Sequence, residues 1–270
     1  MDQHQRQSGY HYGVKHLLVA ENESATEMTS WLKKHLELDS DKINQLVLLG
    51  SVYWNGKRQL SDRLVLAGDY IRVHTRPRRF PVQELQSEIR LIDETPDYAA
   101  YFKPAGIPVH PTVDNIQENL LAFLNQKQGR PYFLTHRLDV PTEGVILFAR
   151  HKEFQTHFNC LLRDGRVQKF YRAIVASEKP SATLLGLHTH YMTESPYAPK
   201  VVSPEPTENS LECKLDVIQV KEIPHGLYEI QIRLITGRTH QIRAQLSALG
   251  FSILGDQMYG GSPIKPEQKQ

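Results

Sequence analysis

Leu227-Tyr228-Glu229-Ile230-Gln231-Ile232-Arg233-Leu234-Ile235-Thr236-Gly237-Arg238-Thr239-His240-Gln241-Ile242-Arg243 carries the pattern that decides the fold class. Tyr228, Ile230, Ile232 and Leu234 alternate with Glu229, Gln231 and Arg233, the period of a strand with one buried and one wet face. Gly237 breaks the run, and Thr239 to Leu249 reads as a helix that stops at Gly250. Working outward, Tyr98 to Phe102, Val145 to Arg150 and Phe170 to Ala176 read as strands, and Gln117 to Asn125 and Lys152 to Arg163 as helices. Residues 90–270 are therefore expected to form one α+β domain.

The N-terminal stretch reads differently. Ser24-Ala25-Thr26-Glu27 has capping-box spacing and predicts a helix to about His35. Ser40 or Asp41 opens a second helix, stopped by Gly50. Val52-Tyr53-Trp54 is a short strand, Asn55-Gly56 is a hairpin turn, and Asp69 to Thr75 alternates as a strand. These elements predict a small compact unit over 24–75. Residues 76–89, rich in Pro and Arg and without a period, are expected to be a linker or wrapping segment.

Composition narrows the class. Hydrophobic residues make up 40% of the chain and charged residues 23%, as in an ordinary soluble protein. The longest apolar runs are far too short to span a membrane, and residues 1–15 are polar and His-rich, unlike a secretory leader. Two isolated cysteines, Cys160 and Cys213, imply no disulfide framework and favour a reducing, cytoplasmic setting. A net charge of +2 says little about partners, but the basic residues cluster. Arg72, Arg76, Arg78 and Arg79 form one group, Arg163, Arg166, Lys169 and Arg172 a second, and Arg233, Arg238, His240 and Arg243 a third. Such patches attract phosphates even on a nearly neutral chain.

Three segments carry candidate chemistry. Thr135-His136-Arg137-Leu138-Asp139-Val140-Pro141-Thr142-Glu143-Gly144 cannot be a regular helix, so Asp139 stands on a loop entering a strand. His136 and Arg137 beside it favour its ionised form. In Lys169-Phe170-Tyr171-Arg172-Ala173 the two aromatics face opposite sides of a strand, and one on a polar face can stack on a base. Arg238 projects from a strand-to-helix junction, where its planar fork suits a carboxylate or phosphate.

Together these segments resemble the RluA-type family of pseudouridine synthases. The His-Arg-Leu-Asp signature appears at His136 to Gly144, the Lys-Pro-x-Gly-x-x-Val-His-Pro stretch at Lys103 to Pro111, and Tyr-x-Ala at Tyr171 to Ala173. The Gly-Arg-x-His-Gln-Ile-Arg stretch lies at Gly237 to Arg243, followed by Leu254-Gly255-Asp256. The family usually has Ser where this chain has Glu143. The looser Ile43 to Val52, Trp54-Asn55-Gly56-Lys57 pattern is similar to the small S4-type RNA-binding domain often joined to the family.

The resemblance implies a mixed, largely antiparallel sheet over 90–270, preceded by a small α/β S4-like domain over 13–75. It also implies isomerisation of uridine to pseudouridine in structured RNA, rRNA or tRNA. The C1′–N1 bond breaks and C1′ is rejoined at C5. Asp139 is the implied carboxylate, acting either as nucleophile at C1′ or as base at C2′. Tyr171 is implied against the uracil ring, and Arg238 in a salt bridge with Asp139. Arg137, His136, Lys103, His240 and Arg243 are expected to bind substrate. No cofactor, metal or membrane is called for, and a monomer acting on RNA is expected. Three rivals stand beside this reading. A glycoside hydrolase needs a second placed acid, for which Glu143 is the one near in sequence. A metal hydrolase is suggested by His188-x-His190, which lacks an accompanying ligand motif. A catalytically inactive RNA-binding protein on the same fold is the third.

Overall fold

The computed structural model describes residues 13–23, 25–177 and 181–265. It divides into two compact units, Met1–Asn159 and Cys160–Gln270. The division falls inside a helix, whereas composition suggested breaks around a linker at 76–89.

The first unit begins with β1 (Val14–Leu18), β2 (Thr26–Glu27), α1 (Met28–Leu36), α2 (Ser40–Leu48), β3 (Val52–Trp54), β4 (Lys57–Gln59), β5 (Leu64–Val65) and β6 (Tyr70–His74). The strand order is β1-β6-β3-β4, antiparallel throughout. Asn55 and Gly56 both take positive φ, 46° and 79°, which matches the hairpin turn to the right-handed twist of β3 and β4. Asp39 caps α2, its carboxylate accepting from Lys42 N at 2.7 Å. Met28, Trp31 and Leu32 of α1 meet Ile43, Leu46, Ile71 and Val73 in one buried cluster.

The start of α1 differs from expectation. Ser24 lies outside the described residues, and Thr26–Glu27 pair with β5 instead of opening the helix. Asp62, from the segment before β5, accepts from Thr29 N at 3.1 Å and from the Thr29 hydroxyl. A carboxylate distant in sequence thus occupies the helix N-terminus, where the dipole favours negative charge.

Next come β7 (Arg90–Glu94), β8 (Tyr98–Lys103), α3 (Leu120–Gln128), β9 (Phe133–Leu134), β10 (Gly144–Ala149) and α4 (Lys152–Arg163). They include a second antiparallel sheet of order β7-β8-β10-β9. Helix α3 starts three residues later than expected. Asn115 Oδ1 accepts from Gln117 N and Glu118 N, both at 3.0 Å, and holds them in a turn, while Asn119 becomes the cap by accepting from Ala122 N.

The segment 76–89, expected as a linker or wrapping element, forms a latch onto residues 114–118. Arg78 N donates to Asp114 Oδ2 at 2.8 Å and Arg78 Nη2 to Asp114 Oδ1 at 2.6 Å. Arg79 Nε and Phe80 N both donate to the Glu118 carboxylate at 2.7 Å. From the N-terminal elements, Ser51 Oγ donates to Asp114 O and Tyr53 OH to Val113 O.

The second unit contains β11 (Lys169–Ala176), β12 (Gly186–Thr193), β13 (Val202–Ser203), β14 (Ser210–Ile223), β15 (Leu227–Leu234) and α5 (Gln241–Ala248). Its antiparallel order is β11-β15-β14-β12-β13. Val175, Leu215, Val217, Ile230 and Ile232 from the sheet pack with Leu246 of α5 and with Phe251. The alternation read in Leu227 to Leu234 holds, with Ile230 and Ile232 buried and Arg233 exposed.

Candidate active site

Asp139 stands on the loop between β9 and β10, half-buried, and that loop is anchored at several points. The Thr135 hydroxyl donates to Leu147 O, and Leu147 N donates to His136 Nε2 at 3.1 Å. The His136 ring also stacks on Phe158, with centroids 6.3 Å apart. His136 was expected to touch substrate. Its Nε2 accepts from the backbone of β10, an anchoring contact. Arg137, next along, is exposed.

Beneath the loop lies Lys103, fully buried at the end of β8. Its ammonium donates to Ile107 O at 2.7 Å, Pro104 O at 2.9 Å and Val140 O at 3.3 Å. Three carbonyls satisfy all three donors of the ammonium group. Burial pushes its pKa down to about 8, opposed by the negative charges of Asp139 and then Glu143. Lys103 was expected to bind substrate, but with no surface exposed it positions the Asp139 loop from below. Glu143, the departure from the family pattern, is exposed and shares the field of this lysine with Asp139.

In the second unit, Tyr171 is half-buried against the core, on the face of β11 that carries Ala173 and Val175. Phe170 points the other way and is 59% exposed, so it is the aromatic on the polar face. Arg238 lies on an exposed turn held by Gln241, a residue the sequence reading passed over. The buried Gln241 Oε1 accepts from Arg238 N at 2.9 Å and from the Thr236 hydroxyl at 2.8 Å. Its Nε2 donates to Lys214 O and to Gln245 Oε1. This bracing is why α5 begins at Gln241, not Thr239, with His240 left-handed at φ 58° as its cap. A glutamine pair at i, i+4 spacing on the buried side of a helix was the available signal.

Arg238 opens onto a cleft of about 530 Å³ also lined by Met192, Glu194, Lys200, Leu211 and Thr239. Tyr259, likewise passed over, bridges the cleft's supports. Lys200 N donates to its hydroxyl at 2.7 Å, and His240 Nδ1 lies 3.0 Å from the same oxygen. Arg243 was expected at the substrate. It forms a two-point bond to Asp256, at 2.7 and 2.8 Å, with both side chains nearly buried. Its cation also lies 4.8 Å from the Tyr259 ring centroid, so Arg243 braces this end of the unit.

The histidines of the metal rival are engaged elsewhere. His188 Nε2 bonds Leu184 O at 2.7 Å, and Gln245 Nε2 lies 3.0 Å from His190 Nδ1. Among the described residues no group of three or more His, Cys, Asp or Glu side chains is placed to hold a metal ion. No helix among them is long and apolar enough to cross a membrane.

Comparison with known proteins matches residues 97–248 to the RNA pseudouridylate synthase family, a span that includes Lys103, Asp139, Tyr171 and Arg238. The chain is 37% identical over 216 residues to RNA pseudouridine synthase 6, chloroplastic, of Arabidopsis thaliana, covering 72% of this chain and 45% of that protein. It is 25% identical over 238 residues to ribosomal large subunit pseudouridine synthase D of Buchnera aphidicola, covering 85% of this chain and 73% of that one. The chain spans about half the length of the first curated relatives it matches. The solved structure of human RNA pseudouridylate synthase domain containing 4 superposes with a TM-score of 0.56 at 24% identity, over 69% of this chain and 76% of that one, a likeness of fold. With its mixed, largely antiparallel α+β architecture and more than half its length matched to the family, this chain belongs to the RNA pseudouridylate synthases.

Proposed function

We propose that this chain converts uridine to pseudouridine in structured RNA, with Asp139 as the carboxylate that acts at the sugar. The observation that supports this most is the family match over 97–248, which contains Asp139, Tyr171 and Arg238. The anchored loop around Asp139 supports it as well. A group that must meet one sugar carbon gains from being held in place; the Thr135 and His136 side chains tie this loop to the backbone of β10 at Leu147, and Lys103 holds it at Val140 O.

In this reading the target nucleotide is exposed from its fold, as base-modifying enzymes require. Arg137, exposed beside Asp139, assists RNA binding. Tyr171 meets the uracil, and the cleft at Arg238 takes part in seating the nucleotide. The base is cut from C1′ at N1 and rejoined at C5, so no atom is lost and no redox partner is needed. Ribosomal RNA is the favoured substrate, since one relative is named for the large ribosomal subunit; tRNA is the alternative. The 13–75 elements serve as an S4-like RNA-binding module. The protein acts as a monomer in the cytoplasm, which cell fractionation and light scattering test; the plant relative is named chloroplastic.

The decisive experiment is pseudouridine mapping. Purified protein with chelator and RNA from a strain lacking the gene restores a missing pseudouridine, and Asp139→Asn protein restores none while binding RNA with near-normal affinity. Substitution of the carboxylate removes its charge and nucleophilicity but keeps its shape. Near-normal turnover by Asp139→Asn refutes the assignment.

A further inference from the structure

Lys103 in the first unit meets three carbonyls; a second half-buried lysine has no such company. Lys169 opens β11 on the face that carries Tyr171 and Ala173. It sits opposite Leu234, the last residue of β15, and so at the mouth of the turn that follows. Its ammonium lies over Gly237: a Cβ built there would be 3.0 Å from Lys169 Nζ. Gly237 has no positive φ to explain its identity, so its bare backbone leaves room for the lysine head. Arg238 comes next in the chain, and both Gly237 and Arg238 line the cleft. Burial alone lowers the Lys169 pKa from the usual lysine value, and among the described residues no hydrogen bond or ion pair engages the ammonium.

Holding an ammonium partly out of water with no partner is costly. Such a group is useful where negative charge arrives during a reaction, because a donor already in place needs no reorganisation then. The proposed reaction generates such a charge. When the C1′–N1 bond breaks, its electron pair leaves with the uracil and spreads onto the carbonyl oxygens of the ring. Tyr171, on the same face of β11, is the residue proposed to meet that ring.

We propose that Lys169 is a catalytic residue whose ammonium donates to a uracil carbonyl oxygen while the base is detached and anionic. The electron pair then returns through C5 to form the C1′–C5 bond. C5 loses its proton to water, N1 gains one, and Lys169 stays protonated throughout. This inference rests on the pseudouridine reading above and assigns one more side chain to it.

The test uses the full chain and transcripts of the RNA region that loses pseudouridine in a strain lacking the gene. They are made with either uridine or 5-fluorouridine. Fluorine at C5 stabilises the departing base anion, so that base needs the lysine less. Read as exchange of the C1′–N1 bond for C1′–C5, which needs no loss of the C5 substituent, single turnover of uridine by Lys169→Met is expected to slow by about 100-fold or more, and that of 5-fluorouridine by less than about 10-fold. Gly237→Ala keeps the charge but displaces it, and is expected to show the same inequality at smaller size; it carries the test if Lys169→Met does not fold. Equal losses on both substrates would mean a phosphate contact or a packing role and would overturn the proposal. An unchanged rate on uridine would overturn it too. A wild-type protein that converts neither transcript would instead refute the pseudouridine reading, and this inference with it.

Discussion

In the first unit three arginines of the cluster from Arg72 to Arg79 are engaged by neighbouring side chains of the fold. Arg72 lies 4.1 Å from the Tyr53 ring centroid, Arg78 grips the buried Asp114, and Arg79 grips Glu118. In the second unit Arg233 pairs with Asp216 and Arg243 with Asp256, but Arg238 opens onto a cleft and Lys169 stands beside it without an acid. The two clusters are therefore engaged differently by the fold. A cation that meets a carboxylate of its own fold stabilises that fold, whereas one on a cleft with no acid beside it leaves its charge available to a ligand. The Arg72 to Arg79 group, expected to attract RNA, gives two of its arginines to the latch.

The sharpest way to break this contrast is to remove one cation from each side. Arg238→Met is expected to lower turnover by about 100- to 1,000-fold, while stability changes by less than about 0.5 kcal/mol, as for an exposed side chain. Single-turnover kinetics and thermal unfolding measure the two. A large stability loss with intact turnover would place Arg238 among the structural cations.

Arg78→Met should do the reverse. Cutting one partner from a buried ion pair costs about 3–5 kcal/mol; with Arg78 40% exposed and solvent-screened, about 2 kcal/mol is expected. Turnover per folded molecule should be unchanged. Burial opposes ionisation of Asp114, but bonds from the side chain and backbone of Arg78 outweigh it and take the carboxyl down to about 2. A folded-state value below the unfolded one stabilises above the unfolded value and is lost as pH falls toward the folded one. The stability gap between wild type and Arg78→Met should therefore shrink from about pH 4 to about pH 2, which urea titration at a series of pH values would show.

Lys103 sharpens the comparison from the other side, as a cation engaged wholly by backbone. Its value of about 8 lies below that of an unfolded lysine, so the unfolded chain binds more protons between about pH 8 and 10.4 and this group's contribution to stability rises with pH. Lys103→Met removes that rise, and the stability gap should move in the wild type's favour across the window. Turnover should also fall, by about 10-fold or more, because the Asp139 loop loses its support. Full activity in this variant would show that the loop needs no such anchor.

The smallest effect is expected at Glu143. It is exposed, so Glu143→Ser should leave the pH–rate profile within about 0.3 unit of wild type. A limb displaced by about one unit, or 1.4 kcal/mol, would mean that Glu143 and Asp139 titrate together and that both acids belong to the reaction.

The sequence by itself determined the strands and helices whose signals are local, and it determined the family. Helix α4 and β15 run between the residues that periodicity named, since a face of Phe154 and Phe158, or of Ile230 and Ile232, is written at a fixed spacing. The motifs around Asp139, Tyr171 and Arg238 were legible because each is contiguous. The tertiary structure decided where α1, α3 and α5 begin, because the competing bonds come from Asp62, from Asn115 and from the side chain of Gln241. It also decided which partners Lys103, His136 and Arg243 meet. One sequence symbol serves equally for a lysine in a cage of carbonyls and for a lysine over a bare glycine. What separates them is which acceptors the folded chain brings within 3 Å or so, a distance that spacing along the sequence does not encode.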